Sequence, residues 1–507
     1  MKFASEASFM MKNARCVYAA GGAEAFAGQP GKVFPSRFWP WRTAVHRGTV
    51  SVTEHRSKIV IRSNRRSSGV GRRRFLGAAV GGAVTGVAAQ QGDPPANRYR
   101  ESLDTPIVAR YQVVVAGGGP SGVIAAAAAA RSGADTLLIE RYAFLGGNGT
   151  AGLMTCYNGF RNQHPPDALQ TVKGIPAEYI AELVRLGGVA DTDTYESVPH
   201  DYRHGDLTYT IPFDAEAAKV ASLNLLRKDG VKLRLHSWVA APMMSGSRVT
   251  GGIVESKSGR QASAADVVID CTGDGDVAAR AGAEVMAPAQ TGDRMPMNLM
   301  YGLGGVPASV KGPFGGIRIG SRVVRWGPRL AGDGLDVETL TRAEVAARLQ
   351  LWEDVRRLRN QPGMESLYLA HTATNIGVRE TRRIVGLHVL ATQEAIAGKR
   401  FADVIAISSN PMPDYHGSRF FFGHEGFDIP YRSLVPKAVD GLVLSGRCIS
   451  CEQGAFQSAR SMAPAMAVGH ASGCAAALAA AKGVQPRNLE VKDLQRLLVS
   501  QGAELRA

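Results

Sequence analysis

Several side chains in the second half of the chain are suited to chemistry on a small substrate. Arg379, Arg382 and Arg383 fall within five residues, and their guanidinium groups could hold an anionic substrate, neutralise a reduced cofactor, or pair with nearby carboxylates. His416, close to an aspartate, could donate or accept a proton, or be an ordinary loop histidine. His424 lies in an aromatic, glycine-containing segment that could line a cofactor cavity. We take Arg379, Arg383, His416 and His424 as the candidate catalytic residues.

Cysteine spacing raises a second possibility for redox chemistry. The chain has six cysteines, and only Cys448 and Cys451 have the C-x-x-C spacing. The pair could form a redox disulfide, a structural disulfide after export, or simply two small packed residues. No run of four cysteines has cluster spacing, so we expect no iron–sulfur cluster in this chain and no metal site.

The elements that would position such groups begin near residue 111. Residues 111–116 form an apolar run typical of a buried strand, and a glycine-rich turn follows at 117–122. Residues 123–131 are rich in alanine and predict a helix, and residues 136–140 predict a second strand that ends in an acid. Strand, glycine turn, helix and strand in this order predict a dinucleotide-binding unit.

Each glycine of that turn has a physical role. Gly117 permits the tight turn, Gly119 lets the backbone approach a pyrophosphate, and Gly122 allows close packing of helix against strand. The helix N-terminus favours the negative phosphates. Glu140 lies 23 residues after Gly117, where an acid accepts hydrogen bonds from ribose hydroxyls.

A second glycine pair indicates FAD in preference to NAD. Gly146 and Gly147 follow the ribose acid directly, an arrangement typical of flavoproteins of the glutathione-reductase and fumarate-reductase type. This loop could wrap the cofactor, although an ordinary surface turn would have a similar composition.

Two further segments resemble the middle and the end of an FAD domain. Residues 266–270 predict a strand that leads to Thr272-Gly273-Asp274, where Asp274 could also cap the next helix. Residues 441–445 predict another strand, which ends in Gly446-Arg447. A long helix of small residues begins near Met462, and its N-terminus would stabilise an anionic reduced flavin. The expected cofactor contacts are Gly117, Gly119, Pro120, Ser121, Gly122, Glu140, Arg141, Gly146, Gly147, Val239, Thr272, Gly273, Asp274, Gly446, Arg447 and Pro464.

The chain from about residue 110 to 500 resembles one flavoprotein family. The segments 378–386, 413–416 and 429–437, together with Arg460, are similar to those of FAD-dependent oxidoreductases related to the flavin domain of heterodisulfide reductase. The resemblance implies an α/β fold with a doubly wound, Rossmann-like FAD domain of the glutathione/fumarate-reductase type and an inserted α+β substrate domain. By this resemblance residues 110–160, 212–283 and 428–485 form the FAD-binding domain, 161–211 and 284–427 the substrate domain, and 486–507 a C-terminal helix.

The first hundred residues differ from the rest in charge. The net charge is +15, yet residues 1–100 carry 17 basic and four acidic side chains, while the other 407 residues carry 42 and 40. Because the body is nearly neutral, we expect no nucleic-acid partner. No run of 18 uncharged apolar residues occurs, so we expect no integral membrane span.

Residues 72–76, Arg-Arg-Arg-Phe-Leu, resemble a twin-arginine export signal, and an uncharged run follows them. We interpret residues 1–71 as a basic, disordered leader that could include a mis-assigned start, 72–89 as the signal and 90–109 as a linker. An accidental match in a basic tail is the alternative. The protein would use the twin-arginine machinery and be periplasmic or extracellular, or cytoplasmic if residues 72–89 do not function.

These features predict an FAD-dependent oxidoreductase, a dehydrogenase or reductase with non-covalent FAD. It would transfer hydride between a small organic substrate and flavin N5. A flavin monooxygenase with external NAD(P)H and a flavin electron-transfer component of a larger complex remain alternatives. No second dinucleotide motif occurs, so the sequence leaves the substrate and the electron donor or acceptor open.

Overall fold

The computed structural model describes residues 99, 101–162, 169–189, 210–286, 294–307, 316–413, 419–420, 422 and 425–506. The leader and signal segments predicted over residues 1–89 lie outside this part of the chain. The strands are β1 (Ile107–Ala116), β2 (Thr136–Ile139), β3 (Cys156–Asn158), β4 (Thr210–Pro212), β5 (Lys232–Arg234), β6 (Trp238–Ser245), β7 (Arg248–Ser256), β8 (Gly259–Asp270), β9 (Met297–Gly304), β10 (Gly316–Ile319), β11 (Arg322–Leu330), β12 (Tyr368–Thr372), β13 (Val404–Ser408), β14 (Met412–Pro413), β15 (Arg419–Phe420), β16 (Phe427–Pro430) and β17 (Leu442–Leu444). The helices are α1 (Pro120–Arg131), α2 (Ile175–Arg185), α3 (Ala215–Lys228), α4 (Asp276–Arg280), α5 (Val337–Arg359), α6 (Thr392–Ile396), α7 (Gln453–Ala459), α8 (Met462–Lys482) and α9 (Val491–Ser500).

The first sheet has seven strands and contains the predicted dinucleotide unit. Its order is β5-β2-β1-β8-β7-β6, and β17 also pairs with β8. β1 runs parallel to β2 and β8, with Val114 opposite Leu137 and Val268. β6, β7 and β8 form an antiparallel meander. The α/β, Rossmann-like fold class predicted from the sequence is confirmed.

Two helices rich in small residues cover this sheet. A Cβ placed on Gly469 would lie 2.3 Å from the carbonyl oxygen of Ser121, and one on Gly473 would lie 2.2 Å from that of Ala125. Only glycine therefore allows α8 to approach α1 so closely. Among the described helices, α8 alone is long and apolar enough to cross a membrane, but 89% of its apolar window is buried inside the fold.

A second, four-stranded sheet has the order β10-β11-β9-β12 and packs against α5. Buried residues of this sheet and of α5, such as Leu299 and Ala347, form hydrophobic clusters separate from the main core. β13 pairs with β16, and Ile405 and Ile429 from these strands belong instead to the core of the first sheet. Part of the segment assigned to a substrate domain thus supports the first sheet. The domain boundaries stay a prediction.

Candidate cofactor site and the groups around it

Four segments expected to hold the cofactor meet at one edge of the first sheet. β2, β1, β8 and β17 are neighbouring parallel strands, so their carboxyl ends lie along the same edge. Glu140 follows β2 and Gly117 follows β1, while Thr272 and Gly446 lie two residues beyond β8 and β17. Ligands of open α/β sheets bind at this kind of edge. The four predicted segments therefore border one site.

The glycine turn after β1 leaves no room for side chains at two of its positions. Gly117 has a φ of +105°, and a Cβ there would lie 2.5 Å from the carbonyl oxygen of Cys271. A Cβ on Gly122 would lie 1.9 Å from the carbonyl oxygen of Gly117. A Cβ on Gly119, by contrast, would meet no atom within 4 Å. Gly119 therefore leaves open space beside the N-terminus of α1, which begins at Pro120.

Glu140 is held firmly at the end of β2. The residue is 5% exposed, and its carboxylate accepts hydrogen bonds from the Gly118 N–H at 2.6 Å and the Tyr142 N–H at 3.0 Å. A carboxylate has about four acceptor positions, so it can still receive a ribose hydroxyl. The Arg141 guanidinium lies 4.7 Å from the Tyr142 ring centre and 5.2 Å from that of Trp238. Val239, the other predicted contact on this side, follows Trp238 in β6 and is partly buried.

The second glycine loop lies directly against the first. The N–H of Gly146 donates to the carbonyl of Gly118 at 2.8 Å. A Cβ on Gly147 would lie 2.7 Å from the Gly119 Cα. Both residues have positive φ, +100° and +48°, in a short 3-10 turn that ends at Gly149. The loop is therefore packed against the glycine turn, and its contact with the cofactor stays a prediction.

Asp274 does not cap the next helix, contrary to the alternative considered from the sequence. The N-cap of α4 is Gly275, and the Asp274 carboxylate instead pairs with Arg447 at 2.5 Å. It also accepts a hydrogen bond from the Thr381 hydroxyl at 2.7 Å. The Arg447 Nε donates to the Gly273 carbonyl at 2.9 Å. Arg447 therefore ties the segment after β8 to the segment after β17.

The fully buried Asp270 holds the segment after β8 in place. Its carboxylate accepts hydrogen bonds from the Thr272 hydroxyl at 2.7 Å and from the Ala278 N–H at 2.9 Å. Burial raises the pKa of Asp270, while these hydrogen bonds oppose the shift. The Thr272 hydroxyl in turn accepts the Asp276 N–H at 2.9 Å. Asp270 was not among the cofactor-site residues predicted from the sequence, although an acid at the end of an apolar strand is a detectable signal.

Small polar side chains join β17 to the two long helices. The Ser121 and Ser445 hydroxyls lie 2.5 Å apart, and the Ser472 hydroxyl donates to Ser445 at 2.8 Å. Gly446 has a φ of +73° and lies against Ser121. α8 begins at Met462 with Pro464 in its first turn, and it has neither a side-chain cap nor an acidic residue there.

These residues fit a dinucleotide cofactor such as FAD. Gly119 leaves open space where a phosphate could approach the N-terminus of α1, whose first turn carries no acid. Glu140 offers a fixed acceptor for a ribose, and the uncapped N-terminus of α8 favours negative charge.

The predicted arginines have different surroundings. The Arg383 Nη1 donates to the Cys451 carbonyl at 3.3 Å, and its guanidinium lies 5.3 Å from the Phe456 ring centre. Arg382 pairs with Asp276 at 2.9 Å. Arg379 forms no hydrogen bond or ion pair with any described residue, and it is partly buried. Arg382 and Arg383 are thus engaged in structural contacts, whereas Arg379 is available.

Glu380, beside these arginines in sequence, has other partners. Its carboxylate accepts hydrogen bonds at 2.9 Å from the side-chain amides of Gln453 and Gln457, and the Met295 N–H donates at 3.2 Å. The side-chain Oε1 of Gln457 accepts a hydrogen bond from the Arg460 Nε at 2.8 Å. Arg460 contributes to the family resemblance but was not among the predicted site residues. Because Arg460 is distant in sequence from Arg379, sequence reasoning did not connect the two arginines.

Cys448 and Cys451 are free, buried thiols. Burial raises the pKa of both groups, that of Cys451 to about 12, so neither is a thiolate near neutral pH. This arrangement agrees with the interpretation of two small packed residues and not with a disulfide. His416 and His424 lie outside the described residues.

A cavity of about 430 Å³ opens beside Thr150 and the second sheet. Its charged side chains pair with one another, as Arg322 lies 3.6 Å from Asp214 and Lys219 lies 2.8 Å from Glu216. Burial and the nearby Arg322 lower the pKa of His371. The lining residues are Thr150, Leu153, Thr155, Asp214, Ala215, Glu216, Lys219, Ile319, Arg322, Val324, Ala370, His371, Thr372 and Thr374. The cavity therefore has mixed polar and apolar walls, in which these two pairs of opposite charges compensate each other.

Comparisons with known proteins give a family match. A protein-family model described as FAD dependent oxidoreductase matches residues 112–313 and 314–498. The search of curated proteins gave no match. Similar solved structures include a geranylgeranyl bacteriochlorophyll reductase-like protein from Thermoplasma acidophilum, with 14% identity, a TM-score of 0.41 and coverage of 78% of this chain and 84% of that one. L-proline dehydrogenase from P. horikoshii has 16% identity and a TM-score of 0.39, with 78% and 99% covered. The myxobacterial chondrochloren halogenase CndH has 15% identity and a TM-score of 0.37, with 78% and 79% covered. At these TM-scores the three structures carry no argument about function.

Proposed function

The chain belongs to the FAD-dependent oxidoreductase family, and on that premise we propose that it holds FAD non-covalently and transfers hydride between a small organic substrate and the flavin. One observation supports this proposal above the others. The carboxyl ends of β2, β1, β8 and β17 place Glu140, Gly117, Thr272 and Gly446 along a single edge of the sheet.

Each of these groups would have a defined task. The turn from Gly117 to Gly122 and the N-terminus of α1 would hold the pyrophosphate, and Glu140 would accept hydrogen bonds from the ribose. The N-terminus of α8 would favour negative charge that develops nearby. When bound, FAD supplies the two-electron chemistry that amino-acid side chains do not provide.

Other residues around the site would hold its segments in place without taking part in the reaction. Asp270 and Arg447 fix the segment from Thr272 to Asp274 through the hydrogen bonds described above. The buried thiols of Cys448 and Cys451 would remain reduced and take no part in the reaction.

The experiment is purification of the full chain, followed by an absorbance spectrum and by anaerobic reduction with a panel of metabolites. We expect bound, acid-releasable flavin that bleaches with one class of metabolite. Purified, folded chain that contains no flavin and takes none up would contradict the proposal. Oxygen uptake that depends on NAD(P)H would instead assign a monooxygenase. Reduction only within a stable complex with a partner protein would assign an electron-transfer component.

We also propose two finer points. The segments at 378–386 and 429–437 support a relationship to the flavin domain of heterodisulfide reductase, here without an iron–sulfur cluster. The arginines at 72–74 support export by the twin-arginine route, which would deliver a folded, cofactor-loaded protein outside the cytoplasm.

A further inference from the structure

Two guanidinium groups near the proposed site have no carboxylate partner in the described part of the chain. Arg379 makes no hydrogen bond or ion pair there. The Arg460 Nε–H donates to the side-chain Oε1 of Gln457 at 2.8 Å, and the guanidinium lies 6.0 Å from the Phe456 ring centre, but no described carboxylate forms an ion pair with it. Nearby Arg382 and Arg447 pair with aspartates. The buried Arg383 likewise has no carboxylate partner among the described residues, but its guanidinium contacts the Cys451 carbonyl and the Phe456 ring.

The charge of the two groups is only partly compensated in a partly buried region, since the Glu380 carboxylate attracts Arg460 but forms no ion pair with it. Burial and the repulsion from Arg329 lower the pKa of Arg379 to about 10. Burial and the repulsion from Arg379 lower the pKa of Arg460 to about 9. Both values lie above neutral pH, so both groups remain protonated there. Because burial of an unpaired charge is costly, a bound anion would stabilise this arrangement.

The chain places both arginines beside the proposed flavin site. Val378, directly before Arg379, accepts a hydrogen bond from Arg447 on its carbonyl. Gly377 pairs with Asn298 of the second sheet through two backbone hydrogen bonds. Arg460 directly precedes the N-cap of α8. The backbone before Arg379 thus links the second sheet to Arg447 at the cofactor edge, and Arg460 lies at the start of α8.

A fixed network orients one of the two guanidinium groups. The Gln457 side chain accepts from Arg460 and donates its amide to Glu380 at 2.9 Å. Gln453 and the Met295 N–H hold the same Glu380 carboxylate. These donors turn the Glu380 carboxylate away from an ion pair with Arg379, although the carboxylate keeps its negative charge. Such a preset donor group is suited to an incoming ligand.

We propose that Arg379 and Arg460 together bind a carboxylate group of the organic substrate, an inference that rests on the proposed function. The planar guanidinium fork matches the two oxygens of a carboxylate, and two such forks can hold one group from two sides. The substrate class is therefore an organic acid. A neutral compound of the same shape would leave both charges unpaired.

The test uses the full, FAD-loaded chain and a panel of carboxylates, namely acetate, benzoate, succinate and glutarate, each compared with its amide. Binding is measured from the change in the flavin spectrum and, independently, by calorimetry. We expect at least one acid to bind and its amide not to bind. Arg379→Gln and Arg460→Gln should each weaken that binding by about 10- to 100-fold, the value of a lost hydrogen bond to a charged group. Arg356→Gln on the exposed face of α5 is the matched control and should bind like the wild type.

The outcomes separate this inference from the proposed function. No binding of any acid, or equal binding by the wild type and both variants, would overturn the inference. Variants that bind the acid normally but have a lower flavin reduction potential would show that the pair neutralises reduced flavin, which also overturns it. Failure of the proposed function would appear separately, as wild-type chain without flavin, and calorimetry would still measure acid binding.

Discussion

Substitutions at two glycines of the turn after β1, Gly119 and Gly122, would distinguish an effect on cofactor binding from an effect on folding. A Cβ on Gly119 would project into open space, and its φ of −71° is acceptable for alanine. A Cβ on Gly122 would lie 1.9 Å from the Gly117 carbonyl oxygen, which is backbone and cannot rotate away. We therefore expect Gly119→Ala and Gly122→Ala to have different effects on stability and a common effect on FAD.

The expected magnitudes follow from these contacts. For Gly119→Ala, a weaker N-cap and a less flexible unfolded chain oppose each other, so the free energy of unfolding should change by less than about 1 kcal/mol. For Gly122→Ala, overpacking should lower the free energy of unfolding by about 3 kcal/mol. The methyl group on residue 119 would hold a phosphate away from the helix N-terminus. It should weaken FAD binding by roughly 10- to 100-fold, the equivalent of one charged hydrogen bond.

The assay combines thermal unfolding of the apoprotein with titration of FAD, followed by quenching of flavin fluorescence. Gly119→Ala should unfold near the wild-type Tm and Gly122→Ala several degrees lower, and both should bind FAD less tightly. Substitution of the exposed Gly230, whose φ is +73° and whose Cβ would meet no atom, tests strain alone and should leave FAD binding unchanged. If Gly119→Ala binds FAD as tightly as the wild type, the open space beside α1 is not the phosphate site.

Three further predictions concern pH, thiols and export. Burial lowers the pKa of His470 to about 4 from an ordinary 6.5, so the stability that the neutral ring contributes is complete above pH 6.5 and is lost as the pH falls towards 4. The free energy of unfolding should fall by about 3 kcal/mol over this range because of His470. Denaturant titrations of His470→Gln should show a smaller fall, whereas a fall identical to that of the wild type would disprove the assignment. Because Cys448 and Cys451 are buried and have raised pKa values, both thiols should react very slowly with a thiol reagent until the chain unfolds. In variants with Ala at these positions, the substrate should still reduce the bound flavin. Variants that retain FAD but whose flavin is no longer reduced would indicate a redox pair. Replacement of Arg72 and Arg73 by Lys should keep the full-length protein inside the cell, and unchanged export of the double variant, measured by fractionation, would rule out the twin-arginine route.

The cofactor half of the site was predictable because its signal is local. The turn from Gly117 to Gly122, the helix after it and Glu140 occupy one short stretch, and the backbone geometry of such a unit follows from residue type and spacing. The strand that leads to Thr272 and the strand that leads to Gly446 were also predicted from their own apolar runs. Their placement at neighbouring positions in one sheet needed the structure.

The pairing of charged groups was not predictable in the same way. Arg379, Arg382 and Arg383 are near neighbours in sequence, yet the partners of Arg382 and Arg383 come from distant segments. Asp274 suited a helix cap by sequence, but Arg447, which is 173 residues away, competes for its carboxylate. An ion pair depends on which chain segments the fold brings within a few ångströms, and spacing along one chain does not contain that information.

The amino-acid sequence alone determined the α/β class and the dinucleotide turn, since strand and helix periodicity and glycine geometry are properties of short segments. Only the tertiary structure decided that Arg379 and Arg460, 81 residues apart, form no ion pair with a described carboxylate, because Glu380, next to Arg379 in sequence, directs its carboxylate to Gln453 and Gln457. A charge is unpaired only with respect to all its neighbours in space, so that property arises when the whole chain is folded.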